Sequence, residues 1–402
     1  LNMKTLLTLL CLLTVTILCG QDRASSHVVV FQQEGRFAGW PANNGAWVFP
    51  GDELLVGFTE GPYLEREGHN LDEDETLTSW LARSLDGGRS WQAFDPEGYV
   101  GDFGDEPQLR QLNQPMDMTA EGFALRVVGA AYHGAEDGRG HFFFSQDRGH
   151  SWSGPFALVD QDNWAEFGRF GLDELTPRTD YVVLGPRRAV LMISARVPGK
   201  FATDRLAAFL TTDGGQTYAF QGWVTPPESV DGSTLKLPLF SDAERNPHPG
   251  AARAVMSQTV RLEDGTLVST LRRRYDDKNW VDCYTSKDEG VTWRFQSAVG
   301  DSGHANGNPP ALNLTADGRL CSVYGDRGRG QIVATYSANQ GAEWSAPQVL
   351  RDDFKSADME TNDLGYPRLL RRSDGKMVAM YYFSTRDHPH GIFATIWDPV
   401  VP

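Results

Sequence analysis

SLDGGRSW, running from Ser84 to Trp91, is written five times along this chain of 402 residues. The later copies are SQDRGHSW from Ser145, TTDGGQTY from Thr211, SKDEGVTW from Ser286 and a diverged SANQGAEW from Ser337. Their third positions, Asp86, Asp147, Asp213, Asp288 and Asn339, stand 61, 66, 75 and 51 residues apart. Self-similarity at such intervals marks stacked supersecondary units, and the length suits a four-stranded propeller blade with variable loops. Each copy specifies a tight turn. The Asp side chain caps backbone N–H groups, Gly accepts a positive φ, and the hydroxyl and Trp pack the hairpin from outside. The motif is therefore structural rather than catalytic.

A second signal, Asp-Gly followed by an apolar strand, runs in phase with the first at EDGTLVSTLRRR, ADGRLCSVYGDR and SDGKMVAMYYF, with a degenerate relative at PGDELLVGF. Together the two signals give six units. They run from VFPGDELLVGF to Trp91, from ALRVVGAAYHG to Trp152 and from TDYVVLGPRRAVLMIS to Tyr218, followed by three units led by Leu262, Leu312 and Leu369. The last unit has no turn motif, only GIFATIW. The expectation is an all-β fold, a six-bladed β-propeller forming one domain over residues 28–402. An aromatic content of 11% with 42 Gly and 22 Pro fits such a repeat protein.

The net charge of −16 argues against nucleic acid or an anionic membrane surface as partner. An anionic ligand would need a local cluster of arginines. Residues 1–20 hold Lys4 ahead of a long apolar run and precede the polar QDRASS, the pattern of a cleaved export signal. A secreted, periplasmic or cell-surface protein without a membrane span is expected. Lipid anchoring at Cys19 is the alternative, although Thr16-Ile17-Leu18 lacks the small residues that normally precede a lipidated cysteine. Beyond that segment only Cys283 and Cys321 remain, one in each of two successive units, and no disulfide is implied. No CxxC, HExxH or paired-His spacing is present, so neither a metal nor an organic cofactor is expected.

Asp boxes on six blades, with LARSLDGGRSW in the first, resemble the exo-sialidase (neuraminidase) superfamily over about Phe31 to Trp397. The resemblance implies glycoside hydrolysis with retention of configuration. Three arginines clamp the carboxylate of a terminal acidic sugar, a tyrosine is the nucleophile, and an aspartic acid protonates the leaving oxygen. Arginine suits the clamp because its planar fork meets a carboxylate bidentately. A glycan or glycoconjugate is then the substrate.

The family's nucleophile opens the inner strand of the last blade eight residues before its Asp-Gly turn, and Tyr366 stands eight residues before Asp374. One clamp arginine follows the fourth Asp-Gly strand, where Arg272, Arg273 and Arg274 are consecutive and alternate faces. Another begins the strand leading to the fifth box, where Arg329 fits and Arg327 can substitute. Arg36 is the candidate nearest the first strand, and Arg368 completes the basic set. For the acid, the loop ahead of the first box supplies Asp74 and Asp72, with His69 as a neighbouring polar contact. One departure stands out. Where the family places its base glutamate, eight residues before the Asp-Gly turn of the fourth blade, this chain has Met256. A partner for the tyrosine would then have to come from Glu244, Glu360 or Asp363.

Trp164, Phe167 and Trp280 are aromatic candidates for sugar stacking, and Asn308 a candidate for hydrogen bonding or for capping a turn. Two readings compete with a sialidase-type hydrolase. One is a glycosidase or lyase acting on another sugar, with carboxylates drawn from Asp72, Asp74, Glu166, Asp173 or Glu360. The other is a non-catalytic propeller that binds glycan or protein.

Overall fold

The computed structural model describes residues 25–66, 69–72, 74–96, 108–129, 140–158, 161–200, 203–225, 253–275, 277–304, 306–355, 362–387 and 390–399. Six small antiparallel sheets are arranged in a ring. Blade one pairs Arg36–Gly39 and Ala46–Phe49, in tandem, with Glu53–Pro62, followed by Thr78–Ser84 and Gln92–Phe94. Blade two is described as Ala124–Val128, His141–Ser145 and Ser153–Ala157. Blade three sets Glu174–Leu175 and Tyr181–Gly185 against Arg188–Arg196, then Arg205–Thr211 and Ala219–Trp223. Blade four is Arg253–Arg261, Leu267–Tyr275, Lys278–Ser286 and Arg294–Asp301, and blade five Ala311–Leu314, Leu320–Asp326, Gln331–Ser337 and Gln348–Arg351.

Blade six contains Gly365–Arg371, Met377–Phe383 and Gly391–Trp397, and its outermost strand is Ser26–Phe31 from the other end of the domain. This explains why the sixth unit lacks a turn motif. The motif sits in the hairpin between third and fourth strands, and in this blade those strands are not consecutive in sequence.

The apolar core is divided among the joints between blades. One buried cluster lies at each of the six interfaces, such as Val190, Leu206, Leu267 and Trp293 between blades three and four, and Val281, Cys283, Leu320 and Val333 between four and five. Cys283 and Cys321 are both buried free thiols.

The box turns have the expected hydrogen bonds. In the first copy Ser84 Oγ donates to Asp86 Oδ1 at 2.8 Å and accepts from Gly88 N at 2.8 Å. Asp86 Oδ1 accepts from the backbone N–H of Arg89 and Ser90, both at 2.9 Å, and Oδ2 from Ser90 Oγ at 2.6 Å. Gly88 has φ 89°, and a Cβ there would come within 3.3 Å of Leu54 and 3.4 Å of Val378, which fits glycine. In the diverged copy Asn339 Oδ1 takes Glu343 N at 2.9 Å, so the amide preserves the cap without the charge.

At the axis a four-residue helical turn, Pro41–Asn44, interrupts the inner strand of blade one. Arginines of three other blades converge on it. Arg126 of blade two donates to Asn44 Oδ1 at 2.8 Å. Arg178 of blade three donates to Asn43 Oδ1 at 2.7 Å. Arg368 of blade six donates to the carbonyls of Pro41 and Ala42 and to Gln258 Oε1 of blade four. Below this turn a cavity of about 390 Å³ opens along the axis, lined by Trp47, Phe123, Tyr181, Val260 and Leu369 among others.

Burial raises the Asp86 carboxyl, but its hydrogen bonds from Ser90, Ser84 and Arg89 outweigh that effect and bring it down to about 2. Its folded value lies below its unfolded one, so its contribution is complete above pH 3.8 and is lost as pH falls toward 2. Asp86→Ala, which strips several capping bonds from an exposed turn, should cost about 1–2 kcal/mol in urea unfolding at neutral pH. Asp86→Asn should cost less, in keeping with Asn339, and should flatten the acid limb of the stability curve.

Candidate active site

Inner strands begin, and second strands end, on the same face of an antiparallel propeller blade. On that face two backbone irregularities coincide. Met256 has φ 59° and Tyr366 φ 48°, each at a bulge near the head of its inner strand, where the register slips between Val255 and Ser257 and between Gly365 and Arg368. The eight-residue spacing to the following Asp-Gly turn therefore has a structural basis in both blades. Left-handed backbone is costly for a side-chain-bearing residue and has to be imposed by its surroundings. For Tyr366 the restraint is Asn308, fully buried, whose Oδ1 accepts from Tyr366 N at 2.8 Å while its Nδ2 donates to Leu364 O at 2.7 Å. Gly365, at φ 106°, lies so close that a Cβ there would sit 2.2 Å from Asn308 Oδ1. Asn308 is thus a backbone clamp.

Tyr366 is buried, and its hydroxyl accepts from Arg272 Nη1 at 3.1 Å. Arg272 is anchored by Nε to Asn306 O at 2.7 Å, and the same Nη1 lies 3.7 Å from Met256 Sδ. The Arg327 guanidinium lies 5.7 Å from the centre of the Tyr366 ring. Arg327 also donates to Tyr382 Oη at 2.6 Å and lies 3.4 Å from Asp363 Oδ1. Tyr382 donates to that same Asp363 oxygen, which pairs with His69 Nδ1 at 2.8 Å. The His69 ring stands edge-on to Trp40 at 4.9 Å and to Tyr366 at 6.2 Å between centroids.

Burial raises the Tyr366 phenol, but Arg272, His69 and Arg327 together overcome it and bring it down to about 7. Asp363 is likewise pushed up by burial, yet His69, Arg327 and Tyr382 hold it at about 2. Burial lowers His69, and Asp363 raises it by more, with Tyr366 assisting. The result is a buried phenol that ionises easily beside two guanidiniums and a His–Asp pair, which is equipment for nucleophilic or proton-transfer chemistry.

Of the expected residues, Tyr366, Arg272, Arg327 and His69 come together here. Asp363, considered only as a remote partner for the tyrosine, joins them through its contacts with Arg327, His69 and Tyr382. Arg273 turns the other way, fully buried, with Nε 3.4 Å from Asp282 Oδ2. Arg329 points to solvent, pairing with Asp326 at 2.8 Å. Arg36 forms a bidentate pair with Glu60, and Arg368 serves the axial turn. Asp72 caps its own loop by accepting Asp74 N at 3.2 Å, and Asp74 is exposed. Among the described residues neither is hydrogen-bonded to Tyr366. Glu244 and Glu360 lie outside the described residues, as do Cys19 and the side chain of Trp164. Glu166 pairs with Arg169, Phe167 is packed against Phe209 and Trp223, and Trp280 bonds Asp282. Sequence reasoning missed Trp40 and Tyr382. Tyr382 is the penultimate residue of the apolar strand MVAMYYF and pairs in register with Gly365, beside the bulge. Among the described residues no group of three or more His, Cys, Asp or Glu could hold a metal, and no helix is long and apolar enough to cross a membrane.

The family model for the BNR repeat-like domain matches residues 186–363. The chain is a six-bladed propeller, of which that stretch is similar to a BNR repeat-like domain. No curated protein sequence matches it. Among solved structures, a protein of unknown function from Dyadobacter fermentans superposes with a TM-score of 0.64 at 19% identity, covering 93% of this chain and 98% of the other. A Hadza microbial sialidase gives 0.58 at 13% identity, covering 90% of this chain and 66% of that one. The α-L-arabinanase of Penicillium chrysogenum, complexed with arabinobiose, gives 0.54 at 12%, covering 93% and 98%. At these identities the likeness is one of fold.

A spectroscopic titration tests the site's electrostatics. One tyrosine should ionise near pH 7, and that step should be absent from Tyr366→Phe. Replacing Arg272 by Met should move it to higher pH, since the substitution removes the foremost of the charges that favour phenolate.

Proposed function

We propose that this six-bladed propeller is a retaining glycoside hydrolase acting on a terminal acidic sugar, with Tyr366 as nucleophile and Arg272 and Arg327 receiving the sugar carboxylate. The observation that carries the reading is the Tyr366 hydroxyl, 3.1 Å from Arg272 and brought to about 7 by neighbouring cations. In this reading Met256 occupies the place of a base glutamate, and the cationic field replaces it. Near neutral pH a substantial fraction of the phenol is already ionised and needs no adjacent carboxylate to remove its proton. The phenolate oxygen attacks the anomeric carbon opposite the leaving oxygen as that bond breaks, and water later displaces the tyrosine from the face the leaving group vacated, so the two inversions give retention. An arriving carboxylate would add negative charge beside the phenolate, and both guanidiniums lie close enough to balance it.

A second reading, hydrolysis of a terminal sugar without a carboxylate such as arabinofuranose, is favoured by the bidentate pairing of Arg36 with Glu60. That pairing leaves two cations, rather than three, to receive an acid.

Release of 4-methylumbelliferone from its α-sialoside, set beside its α-L-arabinofuranoside and β-glucuronide, tests both readings. Turnover of the sialoside or the glucuronide that falls at least about 1,000-fold in Tyr366→Phe supports the first. Turnover confined to the arabinofuranoside selects the second. Silence of the wild type on all three counts against a glycosidase of either kind.

A further inference from the structure

The carboxyl groups expected to act as acid do not approach the phenol. Asp72 is committed to its own loop and Asp74 faces solvent. The neighbouring loop residue that does reach Tyr366 is His69. Its ring leaves 29% of the side chain exposed, whereas Asp363 beneath it is 1% exposed, so the imidazole spans from a buried carboxylate to the open face. Nδ1 is engaged by Asp363, and Nε2 makes no hydrogen bond among the described residues. The ring cannot easily swing away, because Trp40, Tyr366 and Tyr382 surround it at 4.9, 6.2 and 6.5 Å between centroids.

We infer that His69, oriented by Asp363, is the general acid that protonates the glycosidic oxygen in the reaction led by Tyr366. The inference rests on the hydrolase reading above. In the first half-reaction the Nε2–H bond breaks and an O–H bond forms on the leaving oxygen, which keeps the electron pair of the broken C–O bond. Tyr366 Oη bonds the anomeric carbon at the same time. In the second, neutral Nε2 takes a proton from the water whose oxygen attacks that carbon, and the tyrosine leaves as phenolate. Asp363 stays ionised throughout. It fixes the tautomer and favours imidazolium, as a carboxylate behind a catalytic histidine does.

The pH dependence follows from the groups facing the ring. Asp363 and the Tyr366 phenolate favour the cation, and Arg327 opposes it. Activity needs Tyr366 ionised and His69 protonated. It should fall in acid as the phenolate is protonated, and fall in alkali as the imidazolium is lost.

The experiment compares leaving groups on the full chain, using methyl and 4-nitrophenyl α-sialosides. 4-Nitrophenolate departs with little help from an acid, and methoxide does not. His69→Gln should lose about 100-fold or more in kcat/KM on the methyl glycoside and at least about 10-fold less than that on the 4-nitrophenyl glycoside; its alkaline limb should vanish and its acid limb move to higher pH, because the imidazolium also favours the Tyr366 phenolate. Asp363→Asn, which keeps the imidazole, should shift that limb to lower pH. Equal losses on both glycosides with the limb intact would overturn the assignment. So would the leaving-group signature appearing instead in Asp74→Asn or Asp72→Asn. Failure of the hydrolase reading looks different: Tyr366→Phe would then turn over the 4-nitrophenyl glycoside as fast as wild type, or wild type would cleave neither, and the acid assignment would fall with it. Near-UV circular dichroism and thermal unfolding report whether each variant retains the folded propeller.

Discussion

A ring of blades holds only if its last sheet is completed by its first strand. Here the completion is the pairing of Ser26–Phe31 with Gly391–Trp397, in register from Ser26 opposite Ile396. The buried cluster behind it joins Val30, Phe37, Phe58, Tyr366, Tyr382 and Ile396, so blades one and six share a core with the site itself. Trp40 and His69 come from blade one, Tyr366 and Tyr382 from blade six, and the segment into blade six supplies Asp363. Without closure these groups would belong to opposite ends of an open array.

Within that frame the site is positioned by backbone geometry. The same left-handed bulge is built twice, at Met256 and at Tyr366, and Arg272 reaches both. Asn308 lies so close to Gly365 at one bulge that a Cβ on Gly365 would sit 2.2 Å from its Oδ1. At the other bulge the backbone is kept while the side chain is apolar. Charge that a carboxylate would have supplied on that side is absent. The negative member of the network sits across the site at Asp363, already satisfied by Arg327, Tyr382 and His69.

Much of this was legible from the residues. The repeated turn box prescribes its own hydrogen bonds, so copies of it in sequence translate directly into blades, and the spacing to an Asp-Gly turn marks the bulge because both sit on one short strand. Tyr366 and Arg272 were singled out by a family resemblance that places such residues relative to Asp-Gly turns. Side-chain direction was harder to read. Arg272 and Arg273 differ by one residue and therefore by one face of the sheet. Arg327 rather than Arg329 turns inward because Arg329 is held by Asp326 in the tight turn that ends the strand. Asp363 and His69 lie on loops of different blades, 294 residues apart. No periodicity connects them, and only the closed ring brings them together.

The helical turn at Pro41–Asn44 stands between Trp40, in the upper site, and Ala46, on the wall of the lower cavity, with arginines of three blades fastened to it. Such a crossbar makes the axis a blind well. Under the hydrolase reading proposed above, a substrate would enter this well by an end or a branch tip, and its cleaved piece would retreat through the same opening before another could descend. Traffic of that kind favours trimming one unit at a time over sliding along a chain.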